Sequence, residues 1–393
     1  MPLDSKKKTA RNVILLTFTF LIIEFLDELV DGVRGAAWPL IRNDLHLDYM
    51  QVGMLLTIPN TISSFIEPIL GILGDIGLRR SLILGGGVAF VVALLLISLS
   101  QNFELLLVGF TLFYPASGSF VSLSQATLMD IEPTRHEQNM ARWTLAGSVG
   151  NLVGPLILGC AVALHQSWRS AFFALAVLTL LLLVVMWNSI TTPVTSSEAN
   201  EPIHGFNSGL RNALKALRRL DVVRWLTLLQ FSDLMLDVLR GFLALYFVDV
   251  VGTNNTQASL AVTVWLGVGL VGDFLLIPLL ERMQGLVYLR CSALIVFCLY
   301  SAFLLVPNIN FKLVILGLLG FFNAGWYSIL QGQLYTSMLG QSGTVMTLSN
   351  LFGLIGGFAP LILGLLAQEF GLQNVMWGLL IAPIALLVGI FGL

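Results

Sequence analysis

From Val13 to the C-terminus, apolar windows of membrane-spanning length alternate with short polar breaks. A helix needs roughly 20 apolar residues to cross ~30 Å of hydrocarbon, so the pattern predicts twelve spans. They fall at 13–38, 50–73, 81–99, 104–128, 143–163, 169–189, 222–248, 258–280, 286–306, 312–336, 344–367 and 372–392, numbered one to twelve below. The basic N-terminus before the first window has the look of a signal peptide. The window runs on into Glu24, Asp27 and Glu28 without a convincing cleavage site, so it is read as a retained first span. The longest polar break divides the chain into a bundle at 1–190, a linker at 191–221 that ends in the basic, amphipathic run Arg211 to Arg219, and a bundle at 222–393. The expected architecture is all-α and integral to the membrane, twelve helices in two six-helix bundles.

Cytoplasmic loops keep an excess of Lys and Arg. With the N-terminus inside, fifteen such residues from Lys6 to Arg290 fall on the inner side, against Arg42, Arg169 and Lys312 on the outer side. Both termini are therefore expected in the cytoplasm, with the protein in the inner or plasma membrane. Composition narrows the function. A chain with 56% hydrophobic and 11% charged residues is not a cytosolic enzyme. Its 20 Lys+Arg against 22 Asp+Glu leave no basic surface for nucleic acid. Cys160, Cys291 and Cys298 lie in apolar windows, where a thiol acts as a small hydrophobe, so no disulfide, metal site or cofactor is expected. The spans hold no H-E-x-x-H and no Ser/His constellation, which argues against an intramembrane enzyme. The four histidines fall in breaks and are assigned no role.

Sliding the chain on itself exposes a repeat. Span one contains Asp27-Glu-Leu-Val-Asp31-Gly-Val-Arg34-Gly35 and span seven Asp233-Leu-Met-Leu-Asp237-Val-Leu-Arg240-Gly241, both D-x-x-x-D-x-x-R-G, 206 residues apart. The same offset pairs Glu67 with Asp273, Asp75 with Glu281 and Gln125 with Gln331, while Pro155-Leu-Ile-Leu-Gly159 recurs at 360–364. Six crossings per copy bring the second copy into the membrane from the same side, which makes the bundles parallel and related by an axis along the membrane normal. That is the arrangement of a major facilitator superfamily transporter.

Local motifs extend the resemblance. Gly71-Ile-Leu-Gly-Asp75-Ile-Gly77-Leu-Arg79-Arg80 resembles the superfamily's signature between spans two and three, although it lacks a basic residue after Asp75 and places Gly77 one position early. Gly150-x-x-x-Gly154-Pro155 resembles the motif associated with antiporters, and Trp38-Pro39 and Trp168-Arg169 carry some similarity to the fosmidomycin-resistance branch. The resemblance implies that spans one and seven line a central water-filled path. It implies substrate contacts from spans four and ten, here Tyr114, Gln125, Trp326, Tyr327 and Gln331, with Gln230 from span seven. It also implies a cytoplasmic gate at Asp75, Arg79, Arg80, Glu281 and Arg282. The arginine that proton antiporters of this kind carry in span four is absent from 104–128.

Eight carboxylates lie within spans: Glu24, Asp27, Glu28, Asp31, Glu67, Asp233, Asp237 and Asp273. At ~2.5 kcal/mol each, eight lipid-facing charges would cost about 20 kcal/mol, more than a typical protein's whole stability, so they cannot all face lipid. Glu24, Asp27, Glu28 and Asp31 follow i, i+3, i+4, i+7, one helical stripe, and Gln230, Asp233, Asp237 and Arg240 form another. Arg34 and Arg240 lie three residues after Asp31 and Asp237, within ion-pairing reach. Those pairs equally suit an architectural role, and Glu67 and Asp273 suit hydrogen bonds to neighbouring helices. Acids desolvated beside other acids are candidates to take up and release a proton, here Glu24, Asp27, Glu28 and Asp233. The expected function is secondary transport of a small organic molecule by alternating access, as proton-coupled efflux from a monomer. Two alternatives stand beside it: transport of a cationic drug or polyamine in the acidic cavity, and a non-transporting receptor or scaffold on the same fold.

Overall fold

The computed structural model describes residues 3–47, 49–131, 134–189, 215–253, 255–357 and 359–390. Most of the linker, with the start of its amphipathic run, lies outside the described residues. The described residues are almost entirely helical, in twelve successive segments that coincide with the twelve windows. Span one is longer than its apolar window and runs Leu3–Asp44. Among the described residues, eight stretches are long and apolar enough to cross a membrane, with spans two and three counted together as Ile58–Leu99. Spans one and seven are not among them, because the acids and arginines of the repeat dilute their apolar character.

Several spans are interrupted. Span four runs Phe103–Ser117, widens by one residue over Gly118–Ser122, and continues Leu123–Ile131. Span seven runs Leu220–Asp233, widens over Leu234–Val238, continues Leu239–Leu245 and widens again over Tyr246–Val250. Span ten breaks outright between Ile309–Asn323 and Trp326–Ser337, with Gly325 at φ +84°. Non-helical backbone at membrane depth requires that its freed polar groups be met by protein. At this break the Tyr288 hydroxyl donates to Ala324 O at 3.0 Å, and Asn323 and Trp326 are buried. At an offset of 206, Gly118 and Ser119 of the widened turn in span four correspond to Ala324 and Gly325 of the break, so both copies are irregular at the same place.

Two compact units form. One comprises Met1–Thr134, Ala146–Ala216 and Met338–Asn350, the other Arg135–Leu145, Leu217–Ser337 and Leu351–Leu393. Each therefore includes the opening turns of a span that lies, by sequence, in the other half: span eleven in the first unit and span five in the second. Within the first unit span three packs on spans four and six. A Cβ on Gly86 would meet Ser119 and Phe120, and one on Gly87 would meet Leu183 and Phe120, so these glycines allow the close approach that drives helix association in lipid. Phe90 packs at a tilt against Phe113 and Phe120 with centroids 4.9 and 5.8 Å away. In the second unit span eight meets span ten at Gly272 and Gly320, against Phe321 O and Trp265 O. In the same unit Tyr246 and Phe303, on which Phe247 and Tyr300 pack, cover Lys312, which is only 4% exposed and donates to Tyr246 Oη at 3.0 Å and Phe303 O at 2.5 Å. The pattern expected a loop charge at this position, and the structure shows a buried one.

Candidate functional site

The acidic stripe of span one is positioned by span five. Gly150 and Gly154 lie directly against its backbone: a Cβ on Gly154 would sit 2.6 Å from Val33 N and 2.7 Å from Leu29 O, and one on Gly150 would meet Phe25 O. The same contact holds Gly147 against the carboxyl of Glu24. Along the stripe, Asn151 Nδ2 donates to Glu28 Oε2 at 3.0 Å, and Ser117 Oγ of span four donates to Asp27 Oδ1 at 2.9 Å. Arg34 pairs with Asp31 at 2.6 Å and also donates to the Tyr114 hydroxyl, with its guanidinium carbon 5.1 Å from the Tyr114 ring centroid. Span four, which carries no arginine, thus receives one from span one. Glu24 is 8% exposed and, among the described residues, no hydrogen bond or ion pair reaches it. Gln125 is buried on span four. Glu67 is bonded from two sides, by Ser63 Oγ at 2.6 Å and by Asn350 Nδ2 of span eleven at 2.5 Å.

In the second unit the repeat places Asp233 at the end of a helical segment and Asp237 inside the widened turn that follows. Arg240 pairs with Asp237 at 2.9 Å. This pair is largely exposed, whereas the Arg34 side chain is only 14% exposed between its partners. Asp233 is partly buried and, among the described residues, receives no hydrogen bond and no ion pair. Asn323, at the break in span ten, donates weakly to Met235 O in the widened turn of span seven at 3.5 Å, and its own Oδ1 has no partner among the described residues. Trp326 Nε1 donates to Ser292 Oγ at 3.0 Å in the interior. Gln331 is buried and Tyr327 half-buried, on the same helical segment. The carboxamide oxygen of Gln230 is buried against Gly356 without a hydrogen-bond partner among the described residues. Asp273 lies partly buried on span eight, within electrostatic reach of the Tyr288 hydroxyl.

The predicted gate residues separate into two groups. Asp75 follows span two in a turn that Gly77 makes at φ +100°. Its carboxylate accepts from Gly343 N at 2.9 Å, Thr344 N at 2.7 Å and Thr344 Oγ1 at 2.6 Å, the opening turn of span eleven. A carboxylate at a helix N-terminus meets orphan N–H donors and a favourable dipole together. Arg79 bonds Asp75 at 2.8 Å, Ser342 Oγ at 2.9 Å and Asp130, and Ser342 Oγ donates to Asp130 at 2.6 Å. Arg80, Glu281 and Arg282 are exposed, and Glu281 lies 3.9 Å from Arg142.

Three features escaped the sequence reading. Asp130 and Ser342 complete the Asp75 cluster. Glu137 accepts from Gln333 Nε2 at 2.6 Å. His136 stands in the opening turn of span five, buried, with Nδ1 2.9 Å from Thr336 Oγ1. The signal that was available is the offset of 206, which aligns His136 and Glu137 with Ser342 and Gly343.

Twelve spans with a repeated, charged first helix define a polytopic membrane protein of the transporter type, integral and multi-pass. The sequence profile of the Major Facilitator Superfamily matches residues 20–359, and the chain belongs to that superfamily. It is 22% identical over 359 residues to the fosmidomycin resistance protein of Escherichia coli, covering 89% of this chain and 86% of that protein. It is also 22% identical over 402 residues to the uncharacterized MFS-type transporter YfnC of Bacillus subtilis, covering 96% and 94%. Among solved structures, the transporter FucP in the outward conformation superposes with a TM-score of 0.81 at 18% identity, over 97% of this chain and 99% of that one. A variant of the Escherichia coli fucose:proton symporter FucP gives 0.80 at 16% identity, with the same coverage.

Proposed function

We propose that this protein is a proton-coupled secondary transporter that exports a small organic molecule by alternating access. The observation that carries the reading is the uneven treatment of the intramembrane acids. Arg34 and Arg240 offset Asp31 and Asp237, whereas Glu24 and Asp233 have no countercharge among the described residues. An uncompensated carboxylate at membrane depth is costly unless it exchanges a proton, and a coupled transporter needs a group whose proton affinity changes as water access changes sides. Glu24, Asp27, Glu28 and Asp233 are the exchanging groups in this reading. Tyr114, Gln125, Gln230, Trp326, Tyr327 and Gln331 are the substrate contacts, and Asp75 with Arg79 forms the cytoplasmic gate. Efflux is supported by the similarity to a resistance protein, and proton coupling by the fold shared with a proton symporter. The charge asymmetry of the loops supports both termini in the cytoplasm and residence in the inner or plasma membrane.

A second reading, that the substrate is itself cationic, is favoured by the four acids of the span-one stripe against one arginine. Flux in proteoliposomes across neutral, cationic and anionic compounds, with an imposed pH gradient and its reverse, separates the two. Coupled export predicts that flux follows the gradient and that Asp27→Asn uncouples it. Equal flux with and without a gradient, or an unaffected Asp27→Asn variant, overturns the coupling. No flux for any compound, with Asp27→Asn and Asp233→Asn tolerated, would indicate a receptor or scaffold.

A further inference from the structure

The repeat pairs Asp75 with Glu281 and the opening of span eleven with that of span five. By that symmetry Glu281 should accept from the N–H groups of Glu137 and Gln138, as Asp75 does from those of Gly343 and Thr344. The structure shows another arrangement. Glu281 is half-exposed, with a 3.9 Å approach to Arg142. Instead the side chain of Glu137, in the first turn of span five, turns into the cytoplasmic ends of spans nine and ten, where it accepts from Gly285 N and from Gln333 Nε2 at 2.6 Å.

Two further observations mark this as a fitted contact. Span nine begins at Gly285 without a side-chain cap of its own, since Gln284 makes no capping bond. Two glycines also clear the space: a Cβ on Gly285 would collide with the Glu137 carboxylate, and one on Gly332 would lie 2.9 Å from Glu137 Cα. Around it, Gln138 Nε2 donates to Leu280 O at 3.0 Å, and Thr144 and Ser328 hydroxyls meet at 2.8 Å. We propose that Glu137, and not Glu281, is the acid of a second cytoplasmic latch that caps span nine in trans, the reverse polarity of the Asp75 latch. In the first latch the loop between spans two and three supplies the carboxylate and the exchanged helix supplies the N–H donors. In the second the exchanged helix supplies the carboxylate and the start of span nine supplies the donor.

The inference rests on the alternating-access reading for its consequence but not for its test. A single cysteine reporter, Ala141→Cys, is placed one turn after Glu137 at a buried position in a background with Cys160, Cys291 and Cys298 changed to Ser. A membrane-impermeant maleimide is applied to inside-out vesicles, and each variant is first checked for monodisperse elution. Glu137→Ala is expected to raise the labelling rate about tenfold and Glu137→Gln by less. Gly285→Ala, whose methyl group occupies the carboxylate's place, is expected to match Glu137→Ala and serves if that variant does not fold. Glu281→Ala is expected to stay within twofold of the parent. Parent-like labelling of Glu137→Ala or Gly285→Ala overturns the proposal, as does a Glu281→Ala variant that opens as fast as Glu137→Ala. The assay uses neither substrate nor gradient. A protein that shows no flux but the expected labelling therefore loses the transport reading and keeps the latch.

Discussion

Replacing Gly154 with alanine tests whether span five positions the acidic stripe by backbone contact. Ordinary van der Waals neighbours of a Cβ stand 3.4–4 Å away, but here the new methyl would begin at 2.6 Å from Val33 N and 2.7 Å from Gly32 C and Leu29 O. None of these is the movable end of a side chain, so the two helices must part by about 1 Å. Overpacking of this kind costs about 1–3 kcal/mol, against about 0.5–1 kcal/mol that alanine contributes over glycine in a helix. The net is a destabilisation of up to about 2.5 kcal/mol, which at about 2.1 cal/mol/K per residue over 393 residues is a fall of up to about 3 °C in Tm. The control lies on the same helix: Gly159 has nothing within 4 Å of a built Cβ, so Gly159→Ala should hold or raise Tm. Thermal unfolding of purified protein in detergent measures both, and proteoliposome flux should fall only for Gly154→Ala as Glu24 and Glu28 are displaced. Equal Tm values for the two variants would refute the argument that this glycine is a contact point.

Other perturbations follow from the same geometry. Asp75→Asn takes the charge from three hydrogen bonds and an ion pair; hydrogen bonds to charged groups contribute about 1.5–3 kcal/mol each, so maleimide labelling of a Val345→Cys reporter, buried in the opening turn of span eleven, should rise at least tenfold. Arg34→Lys keeps the charge but loses the fork that engages Asp31 and Tyr114 together; flux should fall by about tenfold or more, and Tyr114→Phe should cost less. Lys312→Met should retain stability because it fills the aromatic enclosure. Lys312→Ala leaves a void there and removes the donor to Tyr246 Oη, and should lower Tm by several degrees.

The apolar windows foretold the helices well because hydrocarbon thickness sets their length regardless of what packs beside them. The ion pairs of span one and span seven were legible because i, i+3 spacing is local. What stayed hidden depends on chain segments far apart in sequence. Nothing near Arg34 announces Tyr114, 80 residues on. Glu137 reads as an ordinary acid in a first helical turn until Gly285 and Gln333 are brought to it. Lys312 reads as a loop charge because the aromatic residues that bury it come from spans seven and nine. The break at Gly325 is flanked by apolar residues that would suit an unbroken helix, and it is the Tyr288 hydroxyl that makes the gap tolerable.

Spans nine and eleven both begin with amide groups satisfied by carboxylates from elsewhere in the chain. In the proposed alternating-access cycle, withdrawal of those carboxylates would leave the amides in need of oxygen acceptors, which solvent would provide. In that cycle unlocking would also be a hydration event, with water entering as the acids leave. Osmolytes too large to follow that water should slow the inward opening, so this protein's cycle should respond to osmotic stress as well as to its chemical gradients.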